Sequence, residues 1–94
     1  MLNLYKLSIT DFDYDMFKRA IVAAKNEDAA RLIHPSGDED IHWVPAQDGW
    51  IENCGIWGRK DYTWINPDQV TVKLVGTALP NQKPGVIMSS FYAG

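Results

Sequence analysis

The stretch Ala20-Ile21-Val22-Ala23-Ala24-Lys25-Asn26-Glu27-Asp28-Ala29-Ala30-Arg31-Leu32-Ile33-His34-Pro35-Ser36-Gly37 decides the fold. One reading runs a single long helix from Asp15 to Ile33. The other makes Arg19 to Ala24 a buried strand that breaks before a separate helix. Asn26 followed by Glu27 and Asp28 favours the second, because a capping side chain is followed by acids in the positive first turn. Ala29, Ala30, Leu32 and Ile33 then supply the packing stripe, and Pro35-Ser36-Gly37 ends the helix. A cap at Asn26 would serve no purpose inside a continuous helix.

Upstream, Leu4 to Ile9 reads as a strand with Tyr5, Leu7 and Ile9 on one face and Lys6 and Ser8 on the other. Leu2 and Leu4 share the face of Lys6, so the alternation is imperfect. Thr10 to Asp15 alternates acids with aromatics and reads as a turn by its Asp content. Downstream, no period holds from Pro35 to Tyr62. This stretch holds Gly37, Gly49, Gly55 and Gly58, with Trp43, Trp50 and Trp57 spaced seven apart. Glycines and Pro45 between the tryptophans argue against a helical stripe. The aromatic content argues against disorder. An ordered loop is expected, with one short hairpin of Trp50-Ile51-Glu52 against Ile56-Trp57-Gly58, turning at Asn53-Cys54-Gly55.

Order returns with Asn66-Pro67-Asp68-Gln69, a helical turn capped by Asn66 with Pro67 in its first position. Val70 to Ala78 is the cleanest strand, with Val70, Val72 and Leu74 packed and Thr71, Lys73 and Thr77 wet. Pro80 to Gly85 connects it to a last strand, Val86 to Tyr92, and is short enough to make that strand antiparallel. The expected fold is therefore a single α+β domain over residues 1–94. It has a small antiparallel four-stranded sheet, one helix on one face (β-β-α-β-β) and a long Trp-rich loop.

Composition narrows the function. The 94 residues carry 9 Lys+Arg against 12 Asp+Glu, a net charge of −3, which is the wrong sign for a duplex-binding module. Residues 1–47 hold eight acids against five bases, and residues 48–94 four of each. One cysteine excludes a disulfide framework or a CxxC metal knuckle. No apolar run reaches the roughly 18 residues of a membrane span. Lys6 interrupts the apolar N-terminus, so the expected location is the cytoplasm.

His34, Asp38, Glu39, Asp40, His42 and Cys54 gather the metal- and thiol-type chemistry in the middle of the chain. Their spacing matches no ligand or nucleophile motif, and the simpler reading is a solvated acidic turn with two surface histidines. No metal, cofactor or catalytic residue is assigned. Arg59 and Lys60 beside Tyr62 are too few to track a nucleic-acid backbone. Gly55-Ile56-Trp57-Gly58 has the wrong spacing for a phosphate loop.

The tryptophans are the best lead. Trp64, beside Ile65, is the expected core member. Trp43, Trp50 and Trp57 cannot all be internal to so small a domain, and Trp on an ordered loop marks a contact surface. The expected partner-binding residues are Trp43, Trp50, Trp57 and Tyr62, with the acidic turn Asp38-Glu39-Asp40 steering toward a basic protein surface. The competing reading has these aromatics capping the open sheet face.

The chain as a whole also resembles a family of small proteins carried by bacteriophages, prophages and related bacterial loci. The likeness rests on Tyr5-Lys6-Leu7-Ser8, Ala29 to Gly37, Trp64 to Pro67 ahead of Val70-Thr71-Val72, and Gly85-Val86-Ile87 through Ser90-Phe91 to Ala93-Gly94. In this element His34 would reach the last helix carbonyls, with Pro35 ending the helix. The resemblance implies a mobile-element accessory protein in the host bacterial cytoplasm. Class analogy extends that to a non-enzymatic inhibitor of host defence, anti-CRISPR proteins included, that occupies a surface on a larger host complex. Two rival readings are an oligomer sequestering a nucleotide signal through Arg59, Lys60, Tyr62 and Trp57, and a small metal- or thiol-dependent enzyme. A homodimer is compatible with the first reading.

Overall fold

The computed structural model describes residues 1–10, 16–54 and 57–92, with Cys54, Trp57 and Tyr92 described by their backbone. Seven strands form two antiparallel sheets, with one short helix between strands two and three. The strands are β1 (Asn3–Ser8), β2 (Met16–Ala24), β3 (Ile41–Val44), β4 (Gly49–Cys54), β5 (Trp57–Asp61), β6 (Thr71–Thr77) and β7 (Gly85–Tyr92). The helix α1 covers Glu27–Arg31. The larger sheet has the order β6-β1-β2-β7 and the smaller β3-β4-β5. The turn expected at Thr10 to Asp15 falls largely outside the described residues.

The deciding stretch folds as a strand followed by a helix. Ala20, Val22 and Ala24 stand opposite Leu7, Tyr5 and Asn3 on the core side of the sheet. They are buried together with Tyr5, Leu7 and Ile9, so both strands put their apolar alternation on one face. Asn26 caps the helix as its sequence requires, its Oδ1 accepting from Ala29 N at 2.7 Å. The helix is only five residues long and ends at Arg31. Leu32, expected in the packing stripe, is exposed. One turn of helix offers a single inward face, which Ala30 occupies, and Leu32 follows as the C-cap. Arg31 reaches across the fold, donating from Nη1 to the carbonyls of Pro67 (3.1 Å) and Val70 (2.6 Å). That bond ties α1 to the turn capped by Asn66, whose Oδ1 accepts from Asp68 N at 2.9 Å.

The middle of the chain is not a long loop. Residues 41–61 form the second sheet, with β3 and β5 flanking β4. A hairpin of β4 against β5 is present, but not in the expected register: Trp50, Ile51 and Glu52 face Asp61, Lys60 and Arg59, and Asn53 and Cys54, expected in the turn, belong to β4, while Gly55 and Ile56 lie outside the described residues. Gly49 and Gly58, which read as breakers, are packing sites instead. A Cβ on Gly58 would stand 2.6 Å from Ile51 Cγ2, and one on Gly49 would stand 2.4 Å from Lys60 Cε. Side chains of one strand therefore lie over glycines of the next, and the alternation a sequence reader looks for is broken by the packing itself.

Two further corrections concern the larger sheet. Leu74 is exposed although it shares the inward face of Val70 and Val72. The ladder slips after it, Tyr5 facing Leu74 but Leu4 facing Gly76, so Val75 bulges from an edge strand that outruns its cover. β6 and β7 do run antiparallel, yet β1 and β2 separate them, and the 78–84 connection spans the end of the sheet. The core lies between the two sheets around Leu7, Val22, Trp50, Trp64 and Val70, closed by Ala30. A backbone bond from Phe17 N to Thr63 O at 2.9 Å joins the start of β2 to the segment leaving the second sheet. Among the described residues no helix is long and apolar enough to cross a membrane.

Candidate functional site

The turn from α1 into β3 organises the most chemistry. Beyond the end of α1, Pro35 is followed by Gly37 with a left-handed φ of 76°, and the chain reverses through hydrogen bonds from Ser36, Asp38 and Asp40 amides. That reversal leaves Asp38, Glu39 and Asp40 exposed. Among the described residues none of these three carboxylates is ion-paired. Asp40 fixes the turn to the second sheet through its carbonyl, which accepts from Asn53 N at 3.0 Å.

His34 sits behind this turn and corrects its expected place. It is 4% exposed rather than a surface residue, and it meets the second sheet rather than the helix carbonyls. Its ring stands edge-on to Trp50 (5.1 Å) and Phe17 (5.9 Å). Ser36 N donates to Nδ1 at 3.1 Å, so Nδ1 is an acceptor and the ring proton belongs on Nε2, which donates to Asp61 Oδ2. Thr63 Oγ1 lies 2.9 and 2.8 Å from the two Asp61 oxygens. Burial pushes the His34 pKa down, against the pull of Asp61 and, more weakly, Asp38.

Ser36 Oγ, 2.9 Å from Nδ1, completes an order of hydroxyl, imidazole and carboxylate that superficially matches a nucleophile, base and orienting acid. The same groups also hold the turn together. Ser36 is two residues from His34 in the same turn, and its Oγ accepts from Asp38 N at 3.1 Å. The network locks the acidic turn against Asp61 of β5.

Two surface hollows flank this network. The first, about 460 Å³, is lined by the apolar Leu32, Ile33, Ile41 and Val86, with Asp38 and Glu39 among its polar walls. The second, about 280 Å³, is lined by Trp43, Trp50, Tyr62 and Trp64 together with Lys60 and Asp48. His34 borders the first and Asp61 the second, so the pair forms the wall between them.

The aromatics expected at the surface separate here. Trp50 is 1% exposed and its Nε1 donates to Ile65 O at 2.7 Å. It is a core residue, because β4 is the central strand of its sheet and turns Trp50 toward the larger sheet. Trp43 is half-buried with its ring 5.7 Å from Trp50. Tyr62, 75% exposed, is the one expected anchor fully open to solvent among the described side chains. Trp57 has its backbone opposite Cys54, and the side chains of both lie outside the described residues. Trp64 is buried as expected, its Nε1 without an acceptor among the described residues. His42 is exposed. No group of three or more metal-ligating side chains occurs among the described residues.

Asp61 and Arg31 were missed by sequence reasoning. Asp61 sits in a mixed polar run, Arg59-Lys60-Asp61, that reads as solvated. Only the pairing of β5 with β4, which sets Asp61 beside Trp50, turns it inward. No family model, no curated protein and no solved structure matches the chain.

Proposed function

We propose that this is a non-enzymatic binding protein that occupies a basic surface on a partner protein. The acidic turn Asp38-Glu39-Asp40 and the hollow beside it form the contact surface, and Trp43 and Tyr62 extend it. One observation carries the reading: the unpaired carboxylates of Asp38 and Glu39 line a surface hollow together with the apolar side chains of Leu32, Ile41 and Val86. A Lys or Arg side chain fits such a site, with its stem on Leu32, Ile41 and Val86 and its cationic head among the acids. The carboxylates would steer encounter and the hollow would hold the complex. In the mobile-element setting implied by the sequence resemblance, the partner is a host complex and the mechanism is steric occlusion, as in an anti-defence inhibitor.

The test compares the wild type with Asp38→Asn/Glu39→Gln/Asp40→Asn. Each is titrated with a short peptide of alternating arginine and leucine while amide shifts are followed. Each is also used to capture proteins from a bacterial lysate. Wild type should show shifts at Ile41 and Val86 that weaken with salt, and the triple variant should bind at least tenfold less. Equal binding by both proteins, or shifts that leave Ile41 and Val86 unmoved, would overturn the reading.

A further inference from the structure

The second hollow, about 280 Å³, lies across the His34–Asp61 wall from the acidic turn. Its volume is at the small end of ligand sites, about 300–1,000 Å³, and suits a single ring with its substituents. Trp43, Trp50, Tyr62 and Trp64 line it, and cross-strand pairing sets Trp43, Trp50 and Asp61 in one row across β3, β4 and β5. Trp64 is 4% exposed, and its Nε1 is the one buried side-chain polar atom without a partner among the described residues. A buried indole N–H normally finds an acceptor, so the orphan marks this wall of the hollow. Asp48, Lys60 and Gln69 border the same space, and their side chains make no hydrogen bond or ion pair among the described residues. Asn66 uses only its Oδ1, on Asp68 N, which leaves its amide nitrogen unpaired there.

We infer that this hollow is a saccharide-binding site, seating one pyranose ring with an apolar C–H face on the aromatic side chains and its hydroxyls among Asp48, Lys60, Asn66 and Gln69. The unpaired groups are of both kinds. Trp64 Nε1, Lys60 and the Asn66 amide nitrogen are donors, whereas the Asp48 carboxylate and the Gln69 carbonyl are acceptors. A hydroxyl both donates and accepts, so a ring of hydroxyls answers both sets. The ring's C–H hydrogens carry slight positive charge and suit the negative faces of indole and phenol rings. Tyr62, 75% exposed, presents the accessible stacking face. Other small ligands fit less well. A quaternary ammonium suits aromatic faces but offers Trp64 no acceptor. A phosphate-bearing ligand meets two carboxylates, Asp48 and Asp61, against the single Lys60. A flat base is held best between parallel rings, and Trp43 meets Trp50 at 65°. One neutral ring in an open hollow binds in the millimolar rather than the micromolar range, since few contacts offset the cost of immobilising it.

Methyl glycosides of glucose, galactose, mannose and N-acetylglucosamine are titrated into the labelled full chain, each to about 50 mM, a range that covers millimolar affinity. Amide and assigned indole N–H signals are followed by NMR. At least one glycoside should move the Trp64 indole N–H downfield, as a donor gaining an acceptor does, together with signals of Trp43 and Tyr62. Tyr62→Ala should weaken that glycoside by about fivefold, the usual worth of one aromatic contact. Tyr62 is exposed, and circular dichroism checks that the variant folds. Adenosine, uridine and tetramethylammonium are titrated in parallel and should move these signals less than the glycoside does. No shift with any glycoside, glycoside shifts that leave the Trp64 indole unmoved, stronger binding of a nucleoside or of tetramethylammonium, or a folded Tyr62→Ala that binds like wild type would each overturn the proposal.

Discussion

Trp50→Ala is expected to cost about 3–5 kcal/mol of folding stability from lost apolar contacts alone, the usual range for emptying a large aromatic site. The ring is 1% exposed and lies edge-on between His34 and Trp43, so its removal strips contacts from both neighbours. Its Nε1 also donates to Ile65 O at 2.7 Å, and losing that partly buried hydrogen bond adds up to about 1–3 kcal/mol. The sum is comparable to the whole stability of such a domain, roughly 0.05–0.15 kcal/mol per residue. Trp50→Phe separates the two terms. It keeps most of the apolar contact and loses the hydrogen bond, so it should cost about 1–3 kcal/mol. Urea unfolding followed by far-ultraviolet circular dichroism measures both variants, with the m-value checking that the transition stays two-state. At about 4–8 °C per kcal/mol, the Phe variant should melt roughly 5–20 °C below wild type. A Trp50→Ala protein within about 1 kcal/mol of wild type would refute the reasoning, because surface substitutions usually fall in that range.

Two other outcomes follow from the same core. His34 has its pKa lowered by burial, so the unfolded chain binds the proton more readily than the folded one. Its contribution is fully present above the unfolded value of 6.5 and is lost as pH falls from there through the folded pKa. Denaturation midpoints should therefore decline below that pH, Asp61→Asn should lower the His34 titration further by NMR, and a His34 titration above 6.5 in the folded protein would contradict the assigned environment. Gly58→Ala should destabilise by about 1–3 kcal/mol through overpacking, since its Cβ would meet Ile51 Cγ2 at 2.6 Å. Ile51→Leu removes that branch, so a double-mutant cycle should show favourable coupling between the two changes, and strict additivity would sink the packing explanation.

Local grammar was legible wherever a residue acts on its own neighbours. Asn26 and Asn66 cap the turns that follow them, and Pro35 and Gly37 reverse the chain where they stand. Tyr5, Leu7 and Ile9 alternate into the core because a strand's period is a property of its own backbone. The candidate site was half legible: the acidic turn is exposed as its composition suggested, whereas Trp50 and His34 went to the interior.

What the sequence determined by itself was the strand–cap–helix order, the capped turns and the inward face of the first two strands. Only the tertiary structure decided which glycines break a strand and which receive a neighbour's side chain. It also decided that Leu74 overhangs its cover, and that Asp61 turns in to meet His34 while Asp38 stays out. The physical reason is one of range. Caps and alternation are set within a few residues along the chain, but burial of a Trp or pairing of a His depends on segments brought together from farther off, 15 residues for Ile65 and Trp50 and 27 for Asp61 and His34. No local pattern encodes that approach.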